Sequence, residues 1–480
     1  MFLGIDVGTS GVKAVIVSEA GAVLAQASAP LTVARPGPLW SEQDPGDWWS
    51  ATQAAVLGLD AGLRAKVRGV GLAGQMHGAT LLGAGDEVLR PAILWNDGRS
   101  FAECAELERA VPQSRAITGN IAMPGFTAPK LQWVRQHEPE VFAKVRSVLL
   151  PKDYVRLCMT GDKASDLSDS AGTLWLDVAA RDWSDTMLAA SGVSREAMPR
   201  LFEGSESTGA LRAEVAAEWR MARVPVAAGG GDNAAGAAGV GVIADGDAFL
   251  SLGTSGVIFV ATSDFRPNPD RAVHAFCHCL PGMWHQMSVH LSAASCIDWA
   301  ARLLGISGPA EFFTLAEAAG PAAGDELFLP YLSGERTPHN DPHVRGAFLR
   351  ADNQTDAARL AAAVLEGVAF ALADGLDALR EAGTRVDVLS VIGGGARSRY
   401  WGTIIAAALD VRLQYLDGGE VGPALGAAKL AMMAVTGMSA SEACTRPQVV
   451  ATIEPDPALA ERLAPKLAKF RRAYPAIHDL

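Results

Sequence analysis

Several things are missing from this chain, and each absence narrows what it can be. Lysine and arginine gather only into short pairs such as Arg471-Arg472, and 41 basic residues face 53 acidic ones for a net charge of −12. Without a basic stretch the chain offers little to nucleic acid or to an anionic membrane surface. No 18-residue apolar stretch is free of charge or of a heavy load of glycine, so no transmembrane span is expected. The start, Met1-Phe2-Leu3-Gly4-Ile5-Asp6, has no basic leader and breaks its apolar run with an acid, unlike a secretory signal. The six cysteines are scattered and suggest no disulfide framework. A reduced, cytoplasmic protein is the expectation.

Familiar motifs are missing too. No G-x-x-x-x-G-K-[S/T] stretch exists, which excludes a P-loop. Gly239-Val240-Gly241-Val242-Ile243-Ala244 has dinucleotide-fingerprint spacing, yet it follows a helical Ala/Gly run and opens towards a strand. The required order is the reverse. On a strand, Cys277 and Cys279 point to one face while His274 and His278 point to the other, and no second cysteine pair completes a zinc site.

What the chain does contain is one pentapeptide used twice. Gly-Thr-Ser-Gly-Val occurs as Gly8–Val12 and as Gly253–Val257, each time between two apolar, strand-like runs. A turn of this kind exposes backbone N–H groups and two hydroxyls, which is what a polyphosphate needs. Two such turns facing each other would grip a nucleotide from both sides, so an ATP-dependent enzyme is expected. With 480 residues, 49% apolar and 20% charged, the chain is globular and too long for one core. The repeat divides it into residues 1–244 and 245–480, each opening on the same strand–turn–strand unit.

Further along, Asp44-Pro45 reads as a cap for a helix carrying Trp48 and Trp49. The run Val67–Leu72 reads as a strand delivering Gly74-Gln75-Met76-His77-Gly78 at its end, where α/β proteins place chemistry. In the second half, Leu360, Leu365, Val368, Leu372, Leu376 and Leu379 mark a long helix over Thr355–Glu381, capped by Asn353 or Thr355. A strand, Val386–Ile392, then runs into Gly393-Gly394-Gly395, and the last helix, Pro457–Tyr474, shows no chemistry. Trp40, Trp48 and Trp49 read as core residues before sugar-stacking ones.

Two carboxylates stand out. Asp6, two residues before the first turn, suits the water shell of a Mg²⁺ ion beside phosphates, although a turn cap would also use an acid there. Asp232 follows three glycines and opens an Ala-rich helical run, as an N-cap would. The bare glycines let a ligand approach, and an acid at a helix start stays ionised, so Asp232 is the candidate base. His77, in its glycine-flanked loop, suits either a structural or a sugar-binding role.

Taken together these motifs resemble the FGGY carbohydrate kinases. Gly125-Phe126-Thr127-Ala128-Pro129-Lys130-Leu131-Gln132-Trp133-Val134-Arg135-Gln136-His137 fits the family's first signature throughout, whereas Arg350 stands where the second usually has glycine. The resemblance implies an α/β, two-domain ribonuclease H-like fold of the hexokinase–actin–Hsp70 superfamily, with the active site in the interdomain cleft. Residues 1–244 would carry the sugar and phosphate site and residues 245–480 the nucleotide site. Trp40–Pro45, Gly74–Gly78, Trp95–Arg99, Leu150–Tyr154, Gly231–Asn233 and Tyr331–Pro338 are similar to the members acting on D-xylulose. Glycerol-specific members carry Arg-Glu at Met76-His77.

By the same resemblance, Met76, His77, Asp232 and Asn233 lie at the sugar, and Asp6, Thr9 and Ser10 at the phosphates. Gly253 and Thr254 face them, and Gly394, Gly395 and Ser398 hold the adenosine. ATP and Mg²⁺ are the implied cofactors, D-xylulose the implied acceptor and a homodimer the implied assembly. A kinase for another ketose or polyol, or an actin-like ATPase without kinase activity, are the competing readings. Domain closure on the sugar is expected, with Gly229–Gly231 as flexible glycines.

Overall fold

The computed structural model describes residues 1–417 and 422–478. Each pentapeptide closes a hairpin, and each hairpin founds a sheet. In the first, Phe2–Val7 (β1) pairs antiparallel with Gly11–Val17 (β2), Asp6 opposite Lys13 and Val7 opposite Val12. Val23–Pro30 (β3) adds outside β2. Val70–Gly74 (β4) runs parallel to β1 on the other side, Ile5 opposite Leu72. Ser207–Ala210 (β5) and Pro225–Ala227 (β6) extend that side, giving the order β5-β6-β4-β1-β2-β3, and Gly230–Gly231 (β7) pairs with the end of β4.

The second sheet repeats the plan. Ala248–Leu252 (β8) and Gly256–Thr262 (β9) form the hairpin, Leu252 opposite Gly256. His274–Cys277 (β10) and Trp284–His290 (β11) lie beyond β9. Val388–Ile392 (β12) runs parallel to β8 as β4 does to β1, with Leu250 opposite Val391. Arg412–Leu416 (β13) and Val449–Ile453 (β14) complete the order β10-β11-β9-β8-β12-β13-β14.

Helices cover the sheets. Pro45–Leu57 (α1) starts as its sequence demands, Asp44 accepting from the N–H of Gly46 and Pro45 occupying the first turn. Trp48 is fully buried and its indole N–H donates to Gln43 at 2.9 Å, a core role. Asp232–Gly239 (α2) follows β7 directly. Ala357–Glu381 (α3) is buried almost end to end. Its cap is Asp356, accepting from Arg359 N at 2.9 Å, and neither Asn353 nor Thr355. Residue 356 wins because only its carboxylate sits where the third amide of the helix can reach it.

Gly422–Thr436 (α4) comes from the second half of the chain yet lies on the first sheet. A Cβ on Gly4 would stand 1.9 Å from the Ala424 carbonyl oxygen, one on Gly71 1.9 Å from that of Ala427 and one on Gly426 1.7 Å from that of Ala235 in α2. Backbone therefore rests on backbone, and glycine is what permits it. The final helix, Pro457–Ile477, buries Leu459, Leu463 and Phe470 and serves packing.

Arg350 follows the short strand Ala347–Leu349 at φ +64°, the left-handed region where glycine is at ease, and its guanidinium meets Asp325 at 2.7 Å. The turn survives the loss of glycine because arginine accepts the strained conformation. Among the described residues no helix is long and apolar enough to cross a membrane, and no three His, Cys, Asp or Glu side chains form a metal-holding group. The thiols of Cys277 and Cys279 donate instead to the carbonyls of Val178 and Ala234.

Candidate active site

The end of β1 delivers Asp6 and the first glycine turn, and their neighbours come from three matched motifs in which sequence reasoning assigns these side chains no role. The Thr9 hydroxyl donates to Gln75 Oε1 at 2.8 Å and accepts from the Trp95 indole N–H at 2.9 Å. Gln43 Nε2 donates to the Thr9 carbonyl at 2.8 Å, and Gln75 Nε2 to Gln43 Oε1 at 3.0 Å. With its hydroxyl proton committed, Thr9 supports the turn, and Ser10, which is exposed, has the free hydroxyl. Gln43, Gln75 and Trp95 lie far apart in sequence, so spacing could not have found this scaffold.

One carboxylate oxygen of Asp6 is buried without any hydrogen-bond partner. Burial, and then the charge of Asp232, push its pKa up to about 7. An acid with an orphaned oxygen, whose ionisation burial and a second carboxylate oppose, is a place where a divalent cation fits.

Asp232 opens α2. Its Oδ1 accepts from the backbone N–H of Asn233 at 2.7 Å and from Asn233 Nδ2 at 2.9 Å, leaving Oδ2 free. Burial raises its pKa to about 6, and those two bonds hold it from rising further. The three glycines before it are locked, contrary to the flexible role expected for them. Gly229 sits at φ +82°, where a Cβ would be 1.8 Å from the Leu72 carbonyl oxygen, and Gly230–Gly231 pair with β4.

His77 takes the left-handed backbone conformation, φ +71°, in its loop after β4. Its Nδ1 lies 2.6 Å from the carbonyl oxygen of Gly172, so Nδ1 carries the proton and Nε2 presents a lone pair. Burial, followed by the Lys130 charge, lowers its pKa to about 3, keeping the ring neutral. The loop is clamped from below: Lys130 Nζ donates to the carbonyls of His77 at 2.9 Å and Gly125 at 2.7 Å, and the Thr127 hydroxyl to that of His77 at 3.2 Å. Phe126 meets the ring edge-on at 4.9 Å. The motif Gly125–His137 thus holds the histidine loop. Met76 packs under the same floor, where a Cβ on Gly231 would be 3.0 Å from its sulfur.

On the second sheet, Gly253, Thr254, Gly394, Gly395 and Ser398 all line one cavity of about 770 Å³, walled on its apolar side by Ile297 and Phe313. The turn is pinned by the N–H groups of Ala293 and Ala294, which donate to the carbonyls of Thr254 and Gly253 at 2.9 Å each. Asp6, Asp232 and Asn233 thus gather on the first sheet with the Met76-His77 loop, and Gly253, Thr254, Gly394, Gly395 and Ser398 gather on the second.

Two acids and a histidine loop at strand ends of the first sheet, with the same glycine turn opening each sheet, make the arrangement expected of a carbohydrate kinase. The family models agree: those for the N- and C-terminal domains of the FGGY family of carbohydrate kinases match residues 1–239 and 248–435. The chain belongs to this family of carbohydrate kinases. It is 58% identical to the xylulose kinase of Escherichia coli (strain K12) over 435 residues, 90% of each chain. With the xylulose kinase of Bacillus subtilis (strain 168) the identity is 38% over 453 residues, 92% of this chain and 90% of that one. The crystal structure of a xyloylose kinase from Brucella ovis, 52% identical, matches 100% of this chain and 99% of its own with a TM-score of 0.96. As a carbohydrate kinase, the protein uses ATP to phosphorylate a sugar.

Proposed function

We propose that the acceptor is D-xylulose, phosphorylated at its terminal hydroxyl with Asp232 as the base. The observation that carries the mechanism is the state of Asp232: one oxygen fixed by Asn233, the other free, and a pKa of about 6. A base of that strength can take a hydroxyl proton as the phosphoryl group arrives and still be ionised at neutral pH. His77 is neutral with a free Nε2, so it accepts a hydrogen bond from a sugar hydroxyl and brings no charge to the pocket. Met76 closes the apolar side. The likeness to xylulose kinases supports the choice of sugar.

Asp6, with its orphaned oxygen, is the residue that would hold Mg²⁺ through water, and the ion when bound would neutralise charge at the phosphates. The two turns offer backbone N–H groups to the phosphates, Ser10 adds a hydroxyl, and the 770 Å³ cavity takes the adenosine. Because phosphoryl transfer has a loose transition state, alignment of acceptor and donor contributes more than base strength.

The test is ADP release with Mg²⁺-ATP across D-xylulose, D-ribulose, L-ribulose, L-fuculose, L-rhamnulose, gluconate and glycerol. The highest kcat/KM is expected with D-xylulose, and a preference for another sugar overturns the acceptor. Asp232→Asn should lower kcat by about 10²- to 10⁴-fold with the KM for ATP kept. Near-full activity in that variant would sink the base.

A further inference from the structure

One short helix, Leu167–Ala171, touches both halves of the sugar site. Asp166 caps it, accepting from the N–H groups of Ser168 at 2.7 Å and Asp169 at 3.2 Å. The Ser168 hydroxyl donates to the same carboxylate, and its oxygen accepts the N–H of Gly231 at 3.1 Å. Gly231 is the residue immediately before Asp232. At the other end, Gly172 closes the helix and its carbonyl takes the Nδ1 proton of His77. A Cβ on Gly172 would lie 2.6 Å from the His77 ring, so the contact has no slack.

The helix is fastened by charges that the reaction does not use. Lys152, wholly buried, places its ammonium 2.6 Å from Asp153, 2.8 Å from Asp166 and 3.2 Å from Asp169, all wholly buried themselves. Ser165 donates to the second oxygen of Asp153 at 2.6 Å. Arg156, one turn along from Lys152, donates to the carbonyl of Ala227 at 2.9 Å and also to that of Ala228, in the segment leading into Gly229–Gly231. Burying so many ions is a poor route to stability, since apolar residues of the same volume do as well or better. Among the described residues, both oxygens of Asp169 lack a hydrogen-bond partner and have only the Lys152 charge nearby. What fixes the backbone here is therefore the Asp166 cap, the Ser168 bond to Gly231 and the Arg156 bonds to Ala227 and Ala228.

We propose that this buried cluster, acting through Leu167–Ala171, is the positioning element of the sugar site. Ser168 sets the peptide that aims Asp232, the Gly172 carbonyl sets the ring that aims His77, and the two are held at a fixed spacing as one unit. None of the cluster touches the sugar; Ser168 is a positioning residue. The inference rests on Asp232 being the base.

Lys152 variants strip three buried carboxylates of their cation and compromise folding, so Ser168→Ala is the informative change. The experiment compares wild type, Ser168→Ala, Asp232→Asn and the double variant by sugar-dependent ADP release, with kcat and both KM values, and by thermal melting. Ser168→Ala should lower kcat by about ten- to a hundredfold, the size of effect a misplaced reacting group produces, with the KM for ATP unchanged. In the double variant the loss should be no greater than in Asp232→Asn alone, because both changes act through one carboxylate. A loss that multiplies with that of Asp232→Asn overturns the proposal. So does a Ser168→Ala enzyme that melts lower but turns over at the wild-type rate, which would make Ser168 a matter of stability only. Wild-type rates in Asp232→Asn would remove the base, and the positioning role with it, whatever Ser168 does.

Discussion

Asp232, the proposed base, is held in a state that burdens the fold. Burial lifts its pKa to about 6, against about 3.9 for an aspartate in an unfolded chain. Between those values the folded protein keeps a proton that the unfolded chain has lost. This group's contribution to stability therefore falls as pH rises from about 4 and is fully unfavourable above about 6. Asp232→Asn carries no charge at any pH and should melt above the wild type at about pH 7.5, with the gap closing towards about pH 5. Calorimetry at the two pH values checks this, and a gap of constant size would mean that ionisation is not its cause. Asp232 and His77 could be singled out as candidates because one follows three glycines at the start of an Ala-rich helical run and the other lies in a glycine-flanked loop at a strand end. Gln43, Gln75, Lys130 and Ser168 were not, since what each one does depends on a partner that only the fold brings near.

The repeated hairpin was legible for the same local reason: both pentapeptides sit between alternating apolar runs, and β1–β2 and β8–β9 form as that pattern requires. The long helix α3 was visible in its leucine spacing, while its cap fell on Asp356, one residue beyond one of the two positions expected. The seating of α4 was not visible. Its sequence is apolar on nearly every side, which marks a buried helix but says nothing of which sheet it covers. The contact itself is testable through Gly426, whose place against the Ala235 carbonyl of α2 has no room for a methyl group. Gly426→Ala should force α2 and α4 apart and destabilise the protein by about 1–3 kcal/mol, the usual cost of overpacking. Because α2 begins with Asp232, kcat should fall as well. A urea melt and a turnover assay read both effects, and an unchanged midpoint would mean that the helices can part freely.

At the scale of the molecule, the question is how two sheets each carrying half of a site come to act together. The second sheet already reaches the floor of the His77 loop: His274 and Phe276 of β10 pack against Phe126, 5.6 and 6.1 Å between ring centres, and Arg336 approaches His274 at 3.4 Å. The cavity on the second sheet, proposed to take the nucleotide, holds about 770 Å³. Water would compete with the sugar for the phosphoryl group unless the cleft narrows when both substrates are present. Gly229–Gly231 cannot supply that motion, being paired and clamped between β4 and Ser168. The link 240–247 between α2 and β8 is held as well, a Cβ on Gly241 standing 2.7 Å from the Cα of Arg446 and Asp247 accepting from the N–H groups of Ile243 and Ala244, so closure has to move the sheets with their helices as bodies. Closure of the cleft predicts a smaller radius of gyration in solution scattering with D-xylulose and a non-hydrolysable ATP analogue than with either alone. It also predicts that hydrolysis of ATP without sugar is slow but measurable, because the open cleft aligns water poorly. Identical scattering in all states would remove the closure, and exclusion of water would then have to come from the sugar filling the pocket itself.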